Sequence, residues 1–210
     1  MTVLHHNPFW LLGATTRDDA RRIVELAEEK SLSLDSETCN KARSALTNPR
    51  PRLSTEMAWL PGVSPKHAKE LACLLHAEPE AIKEQGNIPP LVLANLMAAA
   101  FELLAPEMEG KKWADWIIAL AITVDEIDAM DILRDINEDR AVAGFPEVKA
   151  LDMIESELSE RRRYYKDAIM KAINRLPPMK LMEVVTVVVD GTTSSDAFDA
   201  PVLIDDVVDS

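Results

Sequence analysis

Apolar residues recur along this chain with a helical period almost throughout, and prolines and glycines cut the pattern into short pieces. Asn7-Pro8 opens an apolar turn, Phe9 to Leu12, that Gly13 ends, because glycine accepts the left-handed geometry after a helix. A second helix is predicted with Thr16 as N-cap, Asp18 and Asp19 in its positive first turn, and Ala20, Ile23, Val24 and Ala27 on one face. Ser31 to Asp35 interrupts the period. A third helix, capped by Asp35 or Ser36, carries Cys39, Ala42, Ala45 and Leu46 on one stripe and stops at Asn48-Pro49, since the residue before proline is pushed out of helical geometry. Leu53, Met57 and Leu60 predict a fourth short helix, ended by Pro61-Gly62.

Ser64-Pro65 starts a helix with Ala68, Leu71, Ala72 and Leu75 inward, and Glu78-Pro79 and Gly86 bound a shorter one. Leu91 to Ala105 is apolar on nearly every side apart from Asn95 and Glu102, which marks a central or interface helix. Trp113, Trp116, Ile117 and Leu120 mark the next. Thr123-Val124-Asp125-Glu126 reads as a capping box that restarts the chain, with Ile127, Ile132, Leu133 and Ile136 inward as far as Gly144. From Glu147 to Leu176 a seam of Leu151, Ile154, Leu158, Tyr165, Ile169, Ala172 and Leu176 predicts one long helix. After Pro177-Pro178, the β-branched run Val184, Val185, Val187, Val188 and Val189 predicts a strand with an exposed, pairing-prone edge.

Composition fits a globular chain: 47% of residues are apolar and 28% charged, and no apolar run approaches the roughly 18 residues of a membrane span. No signal peptide is legible after His5-His6. Cys39 and Cys73, both on predicted apolar faces, suit a reducing cytoplasm rather than a disulfide framework. The net charge of −13 disfavours binding to a nucleic-acid backbone, which needs lysine and arginine to displace counterions. That charge is uneven. Residues 1–60 hold eight basic and eight acidic side chains, whereas residues 124–160 hold three basic and twelve acidic. The segment from Asp190 onward carries six aspartates and ends in Val202-Leu203-Ile204 and Val207-Val208, as though the chain continues past Ser210 or docks there on a partner.

The amino-terminal order of elements resembles the J-domain of DnaJ-like cochaperones. The matching residues are Leu11-Leu12-Gly13, closing a short first helix, and Ala42 through Arg52, where Ala45-Leu46-Thr47-Asn48-Pro49 stands at the end of the third helix. The resemblance covers about the first 60 residues. J-domains stimulate the Hsp70 ATPase through a His-Pro-Asp tripeptide between helices two and three; this loop reads Lys30-Ser31-Leu32-Ser33-Leu34-Asp35, and His-Pro-Asp occurs nowhere in the chain. The second helix also lacks the family's strongly basic face, since Glu25, Glu28 and Glu29 offset Arg21, Arg22 and Lys30. Asn137-Glu138-Asp139-Arg140, Gly144-Phe145-Pro146 and Arg161-Arg162-Arg163-Tyr164-Tyr165 look similar to an extension found in bacterial J-like proteins of unassigned role, and imply no catalytic residue.

Candidate chemistry is sparse. Asp128, Asp131 and Asp135 share a predicted face, as a divalent metal site would need, but a solvated acidic face explains them more simply. His67, Cys73 and His76 lack a second pair for zinc. Arg161 to Lys166 pairs with preceding glutamates at helical spacing more simply than with nucleic acid. No nucleophile motif or glycine-rich phosphate loop is present.

The expectation is a mainly all-α protein: a J-like helical module over 1–62 packed on a helical bundle over 63–178, then a short C-terminal β segment and acidic tail over 179–210. Its expected role is a non-enzymatic protein-protein interaction adaptor or scaffold in a bacterial cytoplasmic assembly, with no cofactor, metal or membrane and with self-association allowed. One alternative is a cochaperone-like regulator that binds an Hsp70-type partner without stimulating it; another is a metal-dependent helical hydrolase. The expected protein-binding residues are Arg21, Arg22, Leu32, Leu34, Arg43, Arg50, Arg52, Val185, Val187 and Val189.

Overall fold

A computed structural model describes residues 2–193 and Ile204, which are mainly helical and, among the described residues, include no strand. The helices are α1 (Pro8–Leu12), α2 (Ala20–Lys30), α3 (Ser36–Thr47), α4 (Pro49–Met57), α5 (Pro65–Ala77), α6 (Pro90–Ala100), α7 (Gly110–Asp125), α8 (Ala129–Ala143), α9 (Leu151–Ile173) and α10 (Pro178–Thr193), with 3-10 turns at Val3–His6 and Pro79–Glu84. The chain forms two compact units, each made of two stretches: Met1–Cys73 with Asp128–Arg161, and Leu74–Ile127 with Arg162–Ser210. This grouping differs from the consecutive division 1–62, 63–178 and 179–210.

In the first unit, α1 packs on α2 and α3, α2 on α3, and α3 on α4, around Phe9, Leu12, Ile23, Leu46, Leu53 and Met57. Local sequence sets the helix ends. Asn7 Oδ1 accepts from Phe9 N at 2.9 Å while its Nδ2 donates to the Thr55 and Ala58 carbonyls at 3.1 Å, so one side chain caps α1 and fastens it to the end of α4. Gly13 takes φ +68° to end α1. Asp35 caps α3 through Thr38 N at 2.8 Å. Asn48, extended before Pro49, separates α3 from α4, which begins at that proline rather than near Leu53.

In the second unit, α6 and α10 both pack on α7. α6 is buried on nearly every side, and its Asn95 accepts a hydrogen bond from Tyr165 Oη at 2.8 Å in the interior. Phe101 lies against Trp113 and Trp116 with centroids 5.9 Å apart in both pairs. Arg175 donates to the Phe101 carbonyl and, at 3.3 Å, to that of Glu102, closing the C-terminal end of α6 with a cation as the helix dipole favours.

Four expectations are corrected. The valine run is not a strand: residues 178–193 form α10, with Val184 and Val188 buried four residues apart and Met179, Met182 and Val185 exposed. β-propensity loses to tertiary packing against α7, and Pro178 supplies a ready first helical residue. Thr16 does not cap α2; Asp19 does, accepting from Arg22 N at 2.7 Å. Thr123 starts no new helix, because α7 continues to Asp125 and the Thr123 hydroxyl donates to the Ala119 carbonyl one turn back, while Asp128 caps α8. Cys39 is buried as expected, but Cys73 is exposed. The expected terminal segment at Val202 to Val208 lies outside the described residues, except Ile204, which is buried.

Candidate protein-binding site

The turn from α2 into α3 keeps winding after Lys30: Ser33 N and Leu34 N donate to the Lys30 carbonyl at 3.0 and 2.8 Å. The turn is tight, and its side chains face outward. Leu32 is 90% exposed and Leu34 41% exposed, although burying each would be favourable. Exposed Asp35 beside them accepts from Thr38 N and Oγ1, and these hydrogen bonds, the backbone one foremost, hold its carboxyl below its ordinary range.

Beside this turn lies an open cavity of about 570 Å³, bounded by α1, the segment that follows it, the end of α2, Leu34, the stretch from Trp59 to Val63 and the start of α5. Its walls are mainly apolar, from Trp10, Leu34, Trp59 and Val63, with Lys30 and Lys69 as its lysines. Phe9 and Trp59 are stacked 6.2 Å apart at its base, and His5 meets Trp10 edge-on at 4.9 Å. No carboxylate lines it. Among the described residues neither lysine has an ion-pair partner, in contrast to Lys41 with Glu37 and Lys66 with Glu70 nearby in sequence.

Of the expected binding residues, the structure brings Leu32 and Leu34 together on the turn and leaves them accessible. Arg21 and Arg22 are exposed on α2 but paired, Arg21 with Glu25 at 3.1 Å and Arg22 with Glu25 and Glu29 at 3.3 Å. The Glu25 hydrogen bond foremost raises the pKa of Arg22. Arg43 is half-buried and Arg50 exposed. Val185 is exposed, and Val187 and Val189 are half-buried, on a helix rather than a pairing edge.

Arg52 is not a surface residue: it is fully buried at the centre of an ionic network that the sequence did not disclose. Its guanidinium donates to Glu56 Oε1 at 2.6 Å and to the Leu46 and Thr16 carbonyls at 3.0 and 2.8 Å, and lies 3.8 Å from the Phe145 ring centroid. Arg140 from α8 donates to the second Glu56 oxygen at 2.9 Å and to the Pro146 and Pro49 carbonyls. Next to it, buried Asp139 accepts from Thr16 Oγ1 at 2.7 Å, Arg17 Nε at 2.8 Å and Gly62 N at 3.2 Å. Burial pushes Glu56 up and Arg52 down in pKa, and their ion pair opposes both shifts. The signal for this network was the i,i+4 pair Arg52 and Glu56 together with the Asp139-Arg140 and Phe145-Pro146 motifs, whose partners lie too far apart in sequence to be matched without coordinates.

The acidic ladder is engaged elsewhere. Asp128 accepts from Met130 N and Asp131 N, while Asp131 and Asp135 pair with Arg134 at 2.6 and 3.1 Å. Among the described residues no group of three or more His, Cys, Asp or Glu side chains is placed to hold a metal ion, and no described helix is long and apolar enough to cross a membrane. The chain matches no family model, no curated protein and no solved structure.

Proposed function

We propose that this chain is a non-enzymatic protein-interaction adaptor or scaffold of a bacterial cytoplasmic assembly, built on a J-like helical module that does not stimulate Hsp70. The observation that carries the reading is the turn between α2 and α3: two outward-facing leucines stand where the J-domain tripeptide would be, beside an apolar cavity. The packing of α1 on both α2 and α3 supports a J-like arrangement. The self-paired charges of α2 support the loss of Hsp70 stimulation, since Arg21 and Arg22 are already neutralised within their own helix. The buried charges Arg52, Glu56, Asp139 and Arg140 are engaged in fastening Thr16, α4 and α8 to one another, which supports a structural role for them.

The test is ATP turnover by a cognate Hsp70 with and without the full chain. The expected result is a rate unchanged by the chain; acceleration would overturn the reading. Binding of that Hsp70 without acceleration, lost in Arg21→Glu/Arg22→Glu, would replace the adaptor by a silent regulator.

A further inference from the structure

The cavity beside the α2–α3 turn differs in charge from the rest of the molecule. The chain holds 36 acidic and 23 basic side chains, yet the lining includes no carboxylate and two lysines, Lys30 and Lys69, without ion-pair partners among the described residues. Apart from these lysines, His5, His6, Thr15 and Thr16, the lining is apolar, and part of it is accessible: Trp10 is half-exposed and Leu34 exposed, while Trp59 and Val63 are buried. Aromatic side chains that keep one face open at the edge of an apolar recess are the residues that dominate binding energy at protein interfaces. A recess of about 570 Å³ lies within the range that holds a few bulky side chains or a compact ligand.

We propose that this recess binds a short segment of a partner protein in which bulky apolar side chains are flanked by carboxylates. The inference rests on the adaptor reading and names the chemistry of its partner. The apolar side chains enter between Trp10 and Val63, and the flanking carboxylates meet Lys30 and Lys69, whose charges attract them more strongly beside low-dielectric walls than in open water. A basic segment is rejected by the same two lysines. The acidic surface elsewhere on the chain repels the flanks of such a segment, so the recess is where it is held.

Fluorescence anisotropy on the full chain tests this with three labelled 12-residue peptides that share a central Leu-Phe pair and differ in flanks of Asp/Glu, Ser or Lys. The expected result is that the acidic-flanked peptide binds roughly tenfold or more tighter than the lysine-flanked one. Lys30→Glu/Lys69→Glu reverses that order, and Leu34→Asp weakens binding of the acidic-flanked peptide. Lys69 and Leu34 are exposed, and Lys30 is half-buried without an ion-pair partner among the described residues, so these variants are expected to keep the fold, checked by an unchanged thermal transition. Equal affinity for the three peptides, or an order that the lysine reversal does not change, overturns the proposal. So does saturable binding of decanoate with the same lysine dependence while no peptide binds, because the recess is then a small-molecule site. None of these outcomes depends on Hsp70 turnover, so failure here is distinct from failure of the adaptor reading.

Discussion

Glu56 is the residue on which the first unit's interior depends most. It accepts from two buried arginines at 2.6 and 2.9 Å, and its removal would leave two guanidiniums without a counter-charge. Breaking one partner out of such a buried group costs about 3–5 kcal/mol, so Glu56→Gln is expected to lower the unfolding free energy by that amount, read as a lower urea midpoint at unchanged slope. Asp35 carries a smaller, pH-dependent effect. Its carboxyl is held below the ordinary value, first by the backbone N–H of Thr38. The stabilisation is therefore complete above the unfolded-state pKa and is lost as pH falls through the lower folded one. Asparagine also caps helices but does not titrate, so Asp35→Asn should flatten that part of the acid limb; an unchanged acid profile would show the cap contributes nothing. At this scale the sequence was legible wherever a signal is local. Asn7 and Asp35 start helices, and Gly13 and Gly144 end them, where their types indicate. Thr16 does not cap, because its hydroxyl goes to Asp139, 123 residues away, which no local rule can anticipate.

For the elements, α10 is the instructive failure. Five valines within residues 184–189 satisfy strand propensity, but propensity is a weak prior beside burial, and the buried pair Val184 and Val188 follows the helical period. The discriminating substitution is Thr186→Pro at an exposed position of this helix. Inside a helix proline costs about 3 kcal/mol or more, whereas an edge strand tolerates it. The helical assignment predicts a large loss of thermal stability, against a near-neutral Met182→Lys on the exposed face. A second element-level test concerns the α7–α10 contact, where the Glu183 carboxylate occupies the space a Cβ would need at Gly110. That carboxylate is the far end of an exposed, flexible side chain that can swing aside, so Gly110→Ala is expected to be near-neutral or slightly stabilising in urea, and Gly110→Ala/Glu183→Ala to add little; a large loss that the double variant recovers would show that the Glu183 carboxylate is fixed there.

For the whole molecule, the helical class was legible because the 3.6-residue period runs nearly uninterrupted, while the grouping of helices was not, because it depends on charges paired across the chain. The first unit needs both of its stretches: α8 supplies Asp139 to Thr16, Arg17 and Gly62, and Arg140 to Glu56 and Pro49. A fragment of residues 1–62 would keep Arg52 and Glu56 but lose Arg140 and Asp139, leaving Glu56 without its second ionic partner and the Thr16 hydroxyl without its acceptor; breaking one partner out of such a buried group costs about 3–5 kcal/mol. Small domains have little stability to spare against losses of that size. The fragment is therefore expected to give collapsed amide dispersion and no cooperative thermal transition. In the full chain, Arg140→Ala should speed hydrogen exchange in α4 as well as in α8, since the arginine anchors both. A well-dispersed, cooperatively melting 1–62 fragment would show instead that the helical hairpin stands alone, and that the ionic network is an attachment to it rather than part of its core.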